Sequence, residues 1–118
     1  MLPNHFIISV DATRTSGSYS YCYFCISNGN TREFDIGALR DKGSLTIRKR
    51  YDALLADENW SVFPMNRQVH FSYEYNNGLH TAQVDNTTIT ATDNTSFDRL
   101  EQIYSPKYNV SNIKIKAL

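Results

Sequence analysis

Residues 68–85 have the sequence QVHFSYEYNNGLHTAQVD, and this stretch decides the fold. Every second residue from 69 to 75 is apolar or aromatic, which is the period of a strand with one buried face. The Asn-Gly pair at positions 77 and 78 favours a two-residue hairpin turn, because both central residues of that turn need positive φ. Residues 79–85 supply the return strand. The stretch therefore predicts an antiparallel β-hairpin.

Short stretches of the same kind recur on both sides of the hairpin, separated by turn residues about every 8–12 positions. Predicted strands lie at residues 6–12, 19–26, 33–39, 45–50, 88–92 and 110–115, with a strand or turn at 97–103. Residues 52–58 are compatible with a helix but are long enough for only about one turn. About nine or ten short strands without a long helix predict an all-β antiparallel two-sheet sandwich, with residues 1–118 as a single domain.

Charge and hydropathy exclude several classes of protein. Lysine plus arginine and aspartate plus glutamate each number 12, so the formal net charge is zero. We therefore expect no nucleic-acid partner, since such proteins need a net basic surface. The apolar runs are short, so we expect no membrane insertion. The N-terminal residues lack a basic region followed by an apolar stretch, which indicates no signal peptide and leaves a cytoplasmic or non-classically secreted protein as the expectation.

Cys22 and Cys25 form a Cys-x-x-Cys pair within one predicted strand. Zinc would need two further ligands from a second cluster, and a redox pair would need a strand-to-helix junction. Residues three apart on a strand point to opposite faces. We therefore expect two free thiols, at least one of them buried, with no metal and no cofactor.

The second half of the chain resembles a galectin. Residues 63–65 (Phe-Pro-Met) are similar to the Phe-Pro-Phe that precedes a long galectin strand, and residues 82–86 (Ala-Gln-Val-Asp-Asn) are similar to the family's Val-x-Val-Asn-Gly. Residues 100–104 and 110–115 resemble the closing pair of strands, and residues 6–10 would match an early strand. The resemblance implies a galectin-like jelly roll of the concanavalin kind.

The galectin sugar-binding motif has no counterpart here. The family uses a His-x-Asn-x-Arg strand, an asparagine and a Trp-Gly-x-Glu-x-Arg strand. Residues 22–27 are Cys-Tyr-Phe-Cys-Ile-Ser instead, and Ser-Val-Phe follows Trp60. A weaker likeness links residues 34–37 and 44–48 to the farnesoic acid O-methyltransferase-like domain. The chain lacks a glycine-rich strand-to-helix loop for a nucleotide-like cofactor.

The candidate ligand-binding residues are three arginines and a tryptophan. Arg48 and Arg50 lie on one face of a predicted strand, Arg32 is expected nearby, and Trp60 supplies a flat apolar surface. Arginine binds carboxylates, phosphates and sugar hydroxyls, and aromatic rings stack against sugars or partner side chains. Tyr19, Tyr21 and Tyr23 offer further rings. The alternatives are a core position for Trp60 and a solvated face for the arginines.

Catalysis has little support in the sequence. No serine lies in a nucleophile-elbow motif, although paired carboxylates need only spatial proximity. His70 and His80 flank the predicted turn as a possible weak metal pair, but no carboxylate is clearly placed to complete three ligands. We therefore expect no catalytic residue and no enzyme.

Two functions follow from these patterns. The first is a non-enzymatic, lectin-like carbohydrate-binding domain with an atypical site on one sheet face, using Arg48, Arg50, Trp60 and Arg32. The second is a protein-interaction or self-assembly module that kept the galectin-like scaffold and lost sugar binding. The partner is then a glycan or a protein, with a possible homodimer through a sheet edge. Residues 6–10 are uncharged and apolar, which predicts a dimer edge or a buried strand, whereas Lys114 and Lys116 are expected to protect the closing strand.

Overall fold

The computed structural model describes residues 2–29, 31–49 and 53–118, and these residues form ten strands in two antiparallel five-stranded sheets. The strands are β1 (His5–Arg14), β2 (Cys22–Asn28), β3 (Thr31–Ala38), β4 (Leu45–Lys49), β5 (Ala53–Asp57), β6 (Gln68–Asn76), β7 (Leu79–Val84), β8 (Thr87–Thr92), β9 (Arg99–Tyr104) and β10 (Tyr108–Ala117). The first sheet has the order β10-β1-β6-β7-β8 and the second has the order β5-β4-β3-β2-β9. The predicted all-β two-sheet sandwich is confirmed.

The hairpin at the centre of the prediction joins β6 to β7. Tyr75 pairs with His80 and Asn76 with Leu79, so the loop has two residues. These residues, Asn77 and Gly78, have φ of 48° and 96°. Both values are positive, as the turn requires, and the predicted hairpin is confirmed.

The core lies between the sheets and is rich in aromatic rings. Phe24 of β2 stacks on Phe71 of β6 with a centroid separation of 4.5 Å and an interplanar angle of 7°. Phe63 meets Phe71 edge-on at 5.6 Å. All three rings are fully buried. Because β2 and β6 belong to different sheets, these rings join the sheets into one hydrophobic core.

Residues 53–57 form strand β5, where the sequence predicts at most a helical turn. Arg48 pairs with Leu54 and Lys49 with Ala53, so β5 extends the second sheet beyond β4. Backbone pairing with an existing strand outweighs the helix propensity of Ala and Leu. The helical expectation is wrong for this segment.

The strand at residues 6–10 is buried and is not an edge. It belongs to β1, which pairs with β6 on one side and β10 on the other. Of the two expectations for this strand, the buried one is confirmed and the dimer edge is wrong. The edges of the first sheet are β10 and β8, and β10 carries Lys114 and Lys116.

The part of the chain that the structure describes holds no helix with the length and apolar character that a bilayer span requires.

Candidate functional site

The outer face of the second sheet carries rows of side chains that the strand registers define. Directly opposite residues on antiparallel strands point to the same face. Phe24, Ile36 and Ile47 point into the core, so their chain neighbours point outward. One outward row is Tyr104, Tyr23, Gly37, Thr46 and Asp57, and the next is Gln102, Cys25, Asp35, Arg48 and Leu54.

A cleft of about 410 Å³ opens on this face. Its lining consists of Tyr21, Tyr23, Cys25, Leu39, Arg48, Gln102 and Tyr104, and we call it the tyrosine cleft. In the first row, Gly37 contributes no side chain between Tyr23 and Thr46. The volume falls within the range of small-ligand pockets.

Three tyrosine rings form one wall of the tyrosine cleft. Tyr21 stacks on Tyr104 with centroids 6.3 Å apart at 20°, and Tyr23 meets Tyr104 at 5.3 Å and 52°. Desolvation raises the pKa of Tyr21, and the nearby carboxylate of Asp41, which accepts a hydrogen bond from the Tyr21 hydroxyl, raises it further. The contacts among the three rings give a continuous aromatic surface.

An ion pair lies on the neighbouring row of the same face. Arg48 Nη2 donates to Asp35 Oδ2 at 2.6 Å. The Asp35 side chain is 1% exposed and the Arg48 side chain is 23% exposed. Among the described residues, the buried Arg48 Nε has no hydrogen-bond partner, which is unfavourable for a polar atom. A ligand in the cleft can reach the exposed part of the Arg48 guanidinium.

Cys25 and Cys22 occupy opposite faces of β2. Cys25 is 1% exposed and lines the tyrosine cleft, whereas Cys22 is fully buried in the core. Neither cysteine forms a disulfide among the described residues, as the sequence predicts. Burial raises the pKa of the Cys22 thiol to about 12, so this thiol stays protonated at neutral pH.

Of the two predicted binding residues whose side chains the structure describes, Arg48 lies in the tyrosine cleft and Trp60 does not. Arg48 lines it, together with the predicted Tyr21 and Tyr23. Trp60 lies between β5 and β6, is 58% exposed and is not among the lining residues. Arg50 lies outside the described residues. Arg32 is on β3, and its side chain is likewise outside the described part of the chain.

The suggested metal pair of His70 and His80 does not form. His80 is fully buried in the core, whereas the His70 side chain is 60% exposed and contacts Asp11 with Nδ1 and Oδ1 3.0 Å apart. Pairing of His80 with Tyr75 also places it at the opposite end of β6 from His70. Among the described residues, no three histidine, cysteine, aspartate or glutamate side chains are grouped as metal ligands.

Sequence reasoning missed Tyr104, Gln102 and Asp35. Alternation with Phe34 and Ile36 could have placed Asp35 on the outer face, but its contact with Arg48 depends on the β3–β4 register. Tyr104 and Gln102 reach the cleft because β9 pairs with β2, about 80 residues earlier in the chain. A local sequence pattern cannot predict the pairing of two strands that lie so far apart in the chain.

No protein-family model matches the sequence, and a search of curated proteins finds no match. Solved structures do match. CG-16, a homodimeric agglutinin from chicken liver, superposes with a TM-score of 0.63 at 10% identity, over 94% of this chain and 90% of that chain. Ligand-free congerin I gives a TM-score of 0.64 at 8% identity, with the same two coverages. Both are galectins, so the chain has a galectin-like β-sandwich fold.

Proposed function

We propose that this chain is a non-enzymatic carbohydrate-binding domain whose ligand occupies the tyrosine cleft. The observation that carries the proposal is the position of an aromatic wall beside the Arg48–Asp35 pair on an open sheet face. The galectin-like fold adds support, since CG-16 is an agglutinin. Fold alone does not fix function, so the argument depends on the chemistry of the cleft.

The two sides of the cleft suit the two kinds of surface on a sugar. The rings of Tyr23 and Tyr104 offer a flat apolar surface for the C–H face of a pyranose. Arg48 and Gln102 offer donors, and Gln102 also offers an acceptor, for hydroxyl groups. This arrangement holds a small polar ligand in a defined orientation.

The test is a glycan array on the purified chain, followed by titration of the best-binding glycan against Tyr104→Ala. We expect the substitution to weaken binding about tenfold or more, because stacking on one aromatic ring is worth about 1–2 kcal/mol. The Tyr104 side chain lies at the surface, 38% exposed, so its truncation preserves the core.

Trp60→Ala is the matched aromatic control. It removes a larger ring that is 58% exposed and does not line the cleft, so we expect unchanged affinity. Loss of binding in Trp60→Ala with normal binding in Tyr104→Ala would move the site to the loop that carries Trp60. An array without any bound glycan would contradict carbohydrate binding itself.

A second candidate function, self-assembly through a sheet edge, has an observation of its own. Strand β10 is an edge of the first sheet, and its Ile113 and Ile115 are 56% and 53% exposed. Ile115 pairs with Ile8, whose side chain points into the core, so Ile115 lies on the inner side of the sheet where the sandwich is open. The unpaired edge and the exposed isoleucines favour addition of a second copy, whereas Lys114 and Lys116 on the same strand oppose it.

Light scattering over a range of concentrations tests this candidate. If β10 forms a dimer, Ile115→Lys shifts the mass toward the monomer, because a charge is placed in the interface. Leu54→Lys on β5, an edge of the second sheet, is the control, since Leu54 is 52% exposed. A monomeric mass for the unmodified chain at high concentration would contradict the dimer.

A further inference from the structure

The charges beside the tyrosine cleft are unevenly distributed. Arg48 is the only charged residue among those that line it. Asp35 lies next to Arg48 on the adjacent strand, with its carboxylate 2.6 Å from the guanidinium. Asp41 approaches from the other side, where it accepts the Tyr21 hydroxyl proton in a hydrogen bond. One cation thus faces two carboxylates among the described side chains.

We infer that the cleft selects uncharged saccharides and rejects those that carry a carboxylate or a sulfate, with Asp35 as the specificity-determining residue. The inference rests on the proposed function and names the class of ligand for the same cleft. Asp35 acts through Arg48, because its charge neutralises the one cation among the described residues that line the cleft.

An acidic sugar would need Arg48 as its partner. Arginine holds carboxylates and sulfates best when both arms of the guanidinium are free for a bidentate contact. Here Nη2 is already bound to Asp35. A second anion on the same guanidinium would also lie close to the buried Asp35 carboxylate, where water screens repulsion poorly. Like-charge contact of this kind discriminates strongly against the wrong ligand.

A hydroxyl group has no such difficulty. Arg48 lines the tyrosine cleft with a side chain that is 23% exposed, so the exposed part of its guanidinium can donate to a hydroxyl oxygen. The same sugar hydroxyl can donate to the side-chain oxygen of Gln102, with no charge to neutralise. The ion pair therefore presents a polar but electrically balanced surface to the ligand.

The experiment uses arrayed pairs of glycans that differ only by one sialic acid, uronic acid or sulfate. We expect the unmodified chain to bind the neutral member of each pair at least tenfold more tightly. Asp35→Asn keeps the size of the side chain and removes its charge. In this variant the affinity for the acidic member should rise about tenfold relative to the affinity for the neutral member, because Asp35 no longer neutralises the charge of Arg48.

Asp85→Asn is the matched control. It makes the same change of charge at the β7–β8 turn of the first sheet, where Arg67 lies 3.6 Å from Asp85. The ratio of the affinities for the acidic and neutral members should stay unchanged. Asp41→Asn is a second variant, at an exposed position. It should raise the affinity for the acidic member relative to the neutral member by about two- to threefold. It keeps the inference testable if Asp35→Asn does not fold, which circular dichroism would show.

Two outcomes separate this inference from the proposed function. Equal or tighter binding of the acidic members by the unmodified chain would overturn the inference and leave carbohydrate binding intact. An unchanged ratio in folded Asp35→Asn and Asp41→Asn would also overturn it. No binding of either member of any pair would overturn the proposed function, and the inference with it.

Discussion

His80 is a fully buried histidine whose two ring nitrogens both have partners. Nε2 lies 3.0 Å from the carbonyl oxygen of Asp93, which can only accept, so Nε2 carries the proton. Nδ1 therefore accepts from the Tyr73 hydroxyl at 2.7 Å. The ring also stacks on Phe34 at 4.7 Å. This environment holds the imidazole in a single neutral tautomer.

We predict that the free energy of unfolding falls as the pH drops below about 6.5, because of His80. Burial lowers the pKa of His80 from 6.5, although the Asp93 carbonyl and carboxylate oppose the shift. The unfolded chain then binds a proton near pH 6.5 that the folded chain does not yet bind. Stability is fully present above pH 6.5 and is lost as the pH falls toward the lowered pKa. Urea unfolding at intervals from pH 7.5 to 5 measures this slope.

His80→Asn should be less stable at every pH but should show a shallower slope between pH 7.5 and 5, since no imidazole remains at this position. His70→Gln is the control, because the His70 side chain is 60% exposed on the outer face of the first sheet. It should keep the slope of the unmodified chain. The same slope in His80→Asn would show that other groups cause the pH dependence.

Single residues also show how far sequence analysis can go toward a binding site. Arg48 was predictable because alternation with Ile47 places it on an outer face, and Tyr23 because it alternates with Phe24. The partners of these residues were not predictable. Asp35 and Tyr104 meet them through strand registers, and a shift of one residue would turn either side chain to the other face.

Strand β3 is shaped by one glycine. Gly37 has φ of 139°, a conformation that residues with a side chain rarely adopt. A Cβ atom added there would lie 2.3 Å from the carbonyl oxygen of Cys22 and 2.8 Å from the Cα of Tyr23. Both contacts are to the backbone of β2, so neither can be relieved by rotation of a side chain. The close pairing of β2 with β3 therefore depends on glycine at this position.

We predict that Gly37→Ala destabilises the chain by about 3 kcal/mol, the combined effect of backbone strain and the contacts with β2. Chemical denaturation with a matched control measures the difference. In Gly29→Ala the φ is 63° and nothing lies within 4 Å of the added Cβ, so only backbone strain of about 1 kcal/mol is expected. Equal losses in the two variants would contradict the role of the β2–β3 contact.

The strands differ in how well the sequence predicts them. The hairpin of β6 and β7 was predictable because its pattern and its turn are local. Strand β5 was not, because residues 53–57 become a strand only by pairing with β4. The positions of β1 and β10 within their sheet likewise depend on pairs such as Ile8 with Ile115, which are far apart in the sequence.

At the scale of the whole molecule, the two sheets share their core instead of each enclosing its own. Phe24 of the second sheet and Phe71 of the first stack at 4.5 Å, and Phe34 of the second meets His80 of the first at 4.7 Å. Separation of the sheets would expose all four rings to water, at about 25 cal/mol for each Å² of apolar surface. The large buried side chains of both sheets lie in this one shared core, so each sheet should be unstable without the other.

We therefore predict a single cooperative unfolding transition for residues 1–118. Calorimetry should give an unfolding enthalpy of about 80 kcal/mol near 60 °C, from about 0.7 kcal/mol for each of 118 residues. The van't Hoff and calorimetric enthalpies should agree, and the near- and far-ultraviolet circular dichroism should change together. Phe24→Leu should lower the midpoint by several degrees without splitting the transition, because it weakens both sheets through their shared contact. Two resolved transitions, or loss of near-ultraviolet signal at a lower temperature than the far-ultraviolet signal, would mean that the sheets unfold separately and that the shared core is not what holds the outer face in place.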